Sequence, residues 1–202
     1  MGLISNGTTL LDAGALDSGV PTGVMTLLAT ATASSSATID FTSGIDSTYK
    51  EYVFKFINIH PATDNANFSF QVDVGTDTSY AQTITSASFQ ANHKEDDSET
   101  GLVVDSNSDQ HQGTSFQVIQ RNVGNFNDNG ACGTLTLFNP SSTVFTKHFI
   151  STTQAQQNDG GGMSQKYFMA GYVNTTTALT RVRFKFDSGN IDSGTFKLYG
   201  IK

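Results

Sequence analysis

The chain predicts an all-β protein, an antiparallel β-sandwich of jelly-roll type preceded by an extended N-terminal arm. Three observations carry that expectation. Apolar residues recur with a period of two along most of the 202 residues. No stretch has the i, i+3, i+4, i+7 apolar spacing of an amphipathic helix. Ser, Thr, Asn, Gln and Gly fill the polar positions, with charged residues only 14% of the total, a balance that suits strands and turns.

Residues 1–23 read as the arm. They are small, polar and Gly-containing, and only "LISN" and "TTLLDAGAL" are apolar enough to dock, with a neighbouring subunit as the expected seat. Residues 24–202 read as a single sandwich domain, because strand candidates follow one another without a linker-like break. In order these are "VMTLLAT", "ATIDF", "YKEYVFKFINI", "NFSFQVDV", "YAQTIT", "SFQVIQR", "CGTLTLF", "VFTKHFIST", "QKYFMAGYV", "RVRFKF" and "GTFKLYGI". In "NFSFQVDV", Phe68, Phe70, Val72 and Val74 alternate with Ser69, Gln71 and Asp73. In "RVRFKF", Val182, Phe184 and Phe186 alternate with Arg181, Arg183 and Lys185. Both patterns predict one face to a core and one to water. "YKEYVFKFINI" is apolar on both faces, Tyr52, Phe54 and Phe56 against Val53, Ile57 and Ile59. It predicts a central strand covered on both sides, or one that runs from core into an interface.

Three connections stand out. Residues 92–113 form a long acidic loop, residues 155–164 a glycine-rich tip, and "DSGNIDSG" (Asp187 to Gly194) raises a choice between a calcium loop and a turn. It lacks the regular alternation and the closing Glu of a calcium loop, so it is expected to be a hairpin connection between "TRVRFKF" and "GTFKLYGI". Phe196 and Leu198 then share the core face, with Lys197 and Tyr199 opposite.

The net charge of −7 is the wrong sign for a nucleic-acid binder. It is also unevenly placed: −11 over residues 1–110 and +4 over residues 111–202. Either one fold exposes more acids on its first-half strands, or opposite faces meet between subunits. The N-terminus has no basic region followed by an apolar stretch, so no secretory signal is expected. "MGLISN" puts Gly2 where myristoylation needs it, but Asn6 stands where Ser or Thr is preferred. No apolar run is long enough for a membrane helix, so no membrane insertion is expected. Cys132, the single cysteine, lies in the apolar "ACGTLTLF" and is expected to be a buried, inert thiol.

Little in the chain carries chemistry. His60 precedes Pro61 at a strand end and reads as structural, and His148 reads as a surface or interface position. His93, Glu95, Asp96, Asp97, Glu99, Asp105, Asp109 and His111 gather in the acidic loop, where oxygen ligands could hold calcium. Their spacing follows no calcium-loop geometry, and a solvated loop is preferred. No zinc motif, nucleophile elbow, P-loop or dinucleotide fingerprint is present. No catalytic, cofactor-binding or metal-ligating residue is assigned, and no enzyme is expected.

Four stretches, "ISNGTTLLDAGALDSGVPTG", "YKEYVFKFINIHPATD", "LFNPSSTVFTKHFIS" and "GNIDSGTFKLYGIK", are spread along the chain, and the resemblance they carry spans most of it. As a set they resemble a family of virion structural proteins, of about this chain's length, from marine tailed bacteriophages, cyanophages included. The resemblance implies a non-enzymatic component of the particle exterior, either a capsid decoration protein or a tail-fibre part. It implies assembly in the bacterial cytoplasm, a homo-oligomer with a trimer favoured, and other virion proteins as partners. The alternative is a host-attachment or carbohydrate-binding module of the tail. Its aromatic platforms would be Tyr80, Phe126 and Tyr167, although the absence of Trp weighs against it. A depolymerase is the least expected reading.

Overall fold

The computed structural model describes residues 3–5, 8–12, 15–16, 25–157 and 162–202. Sixteen strands and no helix occur among them. Of the expected arm, strands β1 (Leu3–Ser5), β2 (Thr8–Asp12) and β3 (Ala15–Leu16) pair in that order as a three-stranded antiparallel sheet of their own. The rest of the arm, and residues 158–161 of the glycine-rich tip, lie outside the described residues.

The remaining strands make two antiparallel sheets. They are β4 (Met25–Ser36), β5 (Ile39–Phe41), β6 (Glu51–Pro61), β7 (Ala66–Val74), β8 (Ile84–Lys94), β9 (Thr100–Val104) and β10 (His111–Gly113). There follow β11 (Gln117–Val123), β12 (Ala131–Phe138), β13 (Lys147–Gln157), β14 (Met163–Val173), β15 (Leu179–Phe186) and β16 (Ile191–Ile201). The large sheet runs β10-β8-β14-β13-β12-β6-β16-β4, with β9 also on the free edge of β8. The small sheet runs β11-β7-β15-β5. The result is a β-sandwich of nine strands against four. It differs from an eight-stranded jelly roll in this inequality and in the consecutive meander β12-β13-β14.

The alternation seen in the sequence builds the core. Tyr52, Phe54 and Phe56 of β6, Leu135 and Leu137 of β12 and Phe196 and Leu198 of β16 face inward from the large sheet. Phe68, Phe70 and Val72 of β7 and Val182 and Phe184 of β15 meet them from the small one. Phe184 lies within 5.1–6.5 Å, centroid to centroid, of six other rings: Phe41, Phe54, Phe56, Phe68, Phe70 and Phe196. Most meet edge-on or tilted, geometries that add about 0.5–1.5 kcal/mol per pair beyond the area buried. This aromatic cluster locks the sheets face to face.

Two connections depart from expectation. β15 and β16 do not pair; "DSGN" carries the chain from the small sheet to the large one, so it is an arch and not a hairpin. The reason lies in long-range partners. The Asp187 carboxylate accepts the Asn67 backbone N–H at 2.8 Å and its side-chain amide at 2.7 Å, while Asn190 donates to the Ser35 carbonyl at 2.9 Å. Gly189 turns at φ +69°, where a Cβ would also collide with Thr63. The acidic stretch 92–113 is likewise not all loop: it holds the end of β8 and the strands β9 and β10. "TGLVV" finds the free edge of β8, with Val104 opposite Phe89 and Leu102 opposite Ala91.

Candidate functional site

The sandwich has two outer faces, and they differ in kind. On the small sheet, Ser69, Gln71 and Asp73 were expected to face water but are buried. The segments 75–83 and 114–116 fold across them. The Asp73 carboxylate accepts the Tyr80 N–H at 2.7 Å, the Gln82 amide at 3.0 Å and the Val74 N–H at 3.0 Å. The Gln71 amide donates to the carbonyls of Gln82, Thr114 and Ser115 at 2.9–3.2 Å. The basic side chains of β15 close the cover. Arg183 lies 4.0 Å from the Tyr80 ring centre and grips Asp40 through two bonds of 2.8 and 2.6 Å, and Lys185 stands over Phe116. The Asp40 carboxylate holds the Arg183 guanidinium more firmly protonated than usual. Burial first, and then Asp40, push the Tyr80 phenol up.

The outer face of the large sheet has no such cover among the described residues. Register and alternation place Ala87, Ala170, Ile150, Thr136, Val53, Tyr199 and Leu27 in one row across seven strands. The adjacent row begins Val104, Phe89, Phe168, Thr152 and Thr134. From β9 to β12 these two rows carry no charged side chain. Phe89 and Phe168 stack at 4.7 Å with planes 14° apart, and a groove between them and Ile150 is lined almost wholly by carbon. Val104 is 74% exposed, Leu102 73%, Ile150 52% and Phe89 43%. An apolar patch of this continuity is uncommon on a protein that works alone.

The same face ends in a polar recess of about 490 Å³, walled by Asn58, His60, Asp128, Asn129, Gln154 and Gln156. Cys132 opens onto it. The thiol is exposed, against the expectation of a buried one, because β12 turns Ala131, Leu135 and Leu137 inward and Cys132, Thr134 and Thr136 outward. Its sulfur sits 3.3 Å from the Asn58 N–H and 3.4 Å from the Asn58 side-chain oxygen.

The other candidates disperse. His93 bonds Asp97 at 2.8 Å, and Glu99 accepts from Asn92. The Ser98 hydroxyl, then its backbone N–H, hold the Asp96 carboxyl below the usual range. Asp105 is buried, 3.0 Å from Arg121 and 2.7 Å from the Ser108 hydroxyl, and Asp109 accepts from Ser88. No three His, Cys, Asp or Glu side chains converge among the described residues. The Arg183–Asp40 and Arg121–Asp105 pairs also join acids of the first half to bases of the second within one chain. Of the aromatic platforms, Tyr80 and Tyr167 are buried, Tyr167 hydrogen-bonded to Ser108 at 2.9 Å; Phe126 is exposed. His148 is exposed on β13, as expected. No helix among the described residues is long and apolar enough to cross a membrane.

Lys147 carries no mark in the sequence of the environment it occupies. Its side chain is buried, and its ammonium donates to the Phe145 and Thr175 carbonyls at 2.7 and 3.0 Å. Burial pulls its pKa down.

No protein-family model, no characterised protein and no solved structure matches the chain at a significant level.

Proposed function

We propose that this chain is a non-enzymatic structural subunit of a bacteriophage particle, on its exterior as a capsid decoration or tail-fibre protein, working by self-assembly and docking. The observation that carries the reading is the bare outer face of the large sheet. Burying its side chains would remove apolar surface from water at about 25 cal/mol per Å². The two rows carry no charge from β9 to β12 and need no opposite charge to meet there, so a second copy of the same face is a suitable partner and a closed homo-oligomer the natural product. The small sheet has already buried Ser69, Gln71 and Asp73 under its own chain, which favours the large sheet as the docking side. The resemblance of the four sequence stretches supplies the particle, and the face supplies the means of joining it.

Sedimentation velocity of the purified chain tests the assembly half. A discrete oligomer of the 21.6 kDa subunit is expected, and a monomer at every concentration overturns it. Mass spectrometry of purified particles tests the other half. Many copies per particle indicate decoration and a small number a tail part; no copies in the particle end the virion reading.

A further inference from the structure

The polar recess has a chemistry that assembly through the apolar rows does not use. Asn129 is 9% exposed in its wall, and neither the oxygen nor the nitrogen of its side-chain amide has a hydrogen-bond partner among the described residues. His60 repeats the pattern. Its Nε2 lies 3.1 Å from the Phe126 carbonyl, which can only accept, so Nε2 donates there. Its Nδ1 has no hydrogen-bond partner, the nearest group of opposite charge being the Asp192 carboxylate at 3.8 Å, within ion-pair range and beyond hydrogen-bond reach. Buried polar groups are nearly always paired, and unpaired ones gathered round a single opening need a reason.

The composition of the wall indicates what would pair them. Asn58, Asn129, Gln154 and Gln156 are amides, each offering both a donor and an acceptor. A hydroxyl group also donates and accepts, and a hydroxyl-rich ligand can satisfy such a wall. An anion would want cations, and no Lys or Arg lines the recess; a metal ion would want several carboxylates, and Asp128 is the single acid there. Phe126 belongs to the same structure, its carbonyl also accepting the Asn129 N–H at 2.8 Å, and its ring is 57% exposed. A sugar has two sides for such a pair, C–H groups for an aromatic ring and hydroxyls for amides. A volume of about 490 Å³ lies within the range of small-ligand sites. We infer that the recess bounded by His60, Asp128 and Asn129 binds a neutral carbohydrate, with the ring of Phe126, three residues before Asn129 in the chain, as its apolar platform.

The inference stands apart from the assembly reading, and its test keeps them distinct. Saturation-transfer NMR on the full chain would use neutral probes, glucose, galactose, mannose, N-acetylglucosamine and their disaccharides, with glucuronic acid as a charged comparison. Transfer from protein to at least one neutral sugar is expected. Phe126→Ala, which removes an exposed ring and leaves the core alone, should weaken that sugar about tenfold, and Asn129→Ala by a similar factor. Ile150→Lys, on the apolar rows, should leave sugar binding unchanged whatever it does to association. No transfer to any neutral sugar overturns the site. So does binding that survives the Phe126→Ala/Asn129→Ala double variant, or a preference for glucuronic acid.

Discussion

The two sheets present the same kind of strand to the core and opposite kinds of surface to the outside. The small sheet turns out Ser69, Gln71, Asp73, Arg181, Arg183 and Lys185, and the chain then folds back over several of them. The large sheet turns out two rows of Ala, Thr, Val, Ile and Phe over the β9–β12 region and leaves them bare. A polar face can be closed by one's own loops because each hydrogen bond has a fixed partner. An apolar face wants area, which a neighbouring subunit supplies more readily than a short loop. The first face is therefore a device of folding, and the second, on the function proposed above, a device of assembly.

Breaking the cover of the small sheet should cost the most. Asp73→Ala strands the Tyr80 and Gln82 donors in a buried site, and the loss of a charged acceptor there is worth about 3 kcal/mol or more. Urea unfolding should show a large fall in midpoint. If the midpoint holds, segment 75–83 is a surface loop and not a lid on the sheet. Oligomerisation of the folded fraction should be unaffected.

Lys147 sharpens the comparison from the inside, because it points inward on β13, the strand that carries Ile150 outward. Lys147→Met removes the donor shared by Phe145 and Thr175, and a loss of about 2 kcal/mol is expected at neutral pH. The pH dependence has a definite sign. The folded pKa is depressed below the ordinary 10.5, so near that value the unfolded chain holds a proton the folded chain has released. The native chain should thus gain stability relative to Lys147→Met as pH rises toward 10.5, and the gain should vanish as pH falls below the folded pKa. Parallel curves for the two proteins would mean that the ammonium reaches water.

A smaller effect is expected at Arg183. Lysine keeps the charge but loses the paired bonds to Asp40 and the flat stacking on Tyr80, a difference of about 1 kcal/mol. Thermal melts of Arg183→Lys and Tyr80→Leu, alone and combined, should be non-additive, since both act on one contact.

The fold class and the core were legible because period-two alternation reports burial directly, and Phe68, Phe70, Phe184, Phe196 and Leu198 all lie where it puts them. The same pattern misplaces Ser69, Gln71 and Asp73, because a polar residue reads as exposed whether water or a folded-back segment covers it. "DSGNIDSG" shows the limit for turns: Asp and Gly announce a change of direction, but partners at Asn67 and Ser35 decide that the change is between sheets. Cys132 stands out of phase with Leu135 and Leu137, a signal that the apolar character of the segment as a whole conceals. The recess was not readable in advance. Asn58, Asn129 and Gln156 come from three separate stretches, and only the pairing of β6, β12 and β13 brings them together.

The smallest expected effect on folding is the one that most tests the contrast. Ile150→Lys places a charge at the centre of the bare rows, where its long stem can lie along the Ala170 and Thr136 neighbours and its ammonium can reach water. Stability should change by about 0.5 kcal/mol or less, as for other exposed positions. Association should not survive, because two copies meeting face to face would each bury an unpaired ammonium. The chain would then sediment as a stable monomer with unchanged circular dichroism. A variant that still assembles would move the interface off this face, while one that unfolds would show that Ile150 serves the subunit and not its neighbour. Because Lys147 lies three residues away on the opposite side of the same strand, the pair of variants separates the two duties of β13: one lowers stability with assembly of the folded fraction intact, and the other does the reverse.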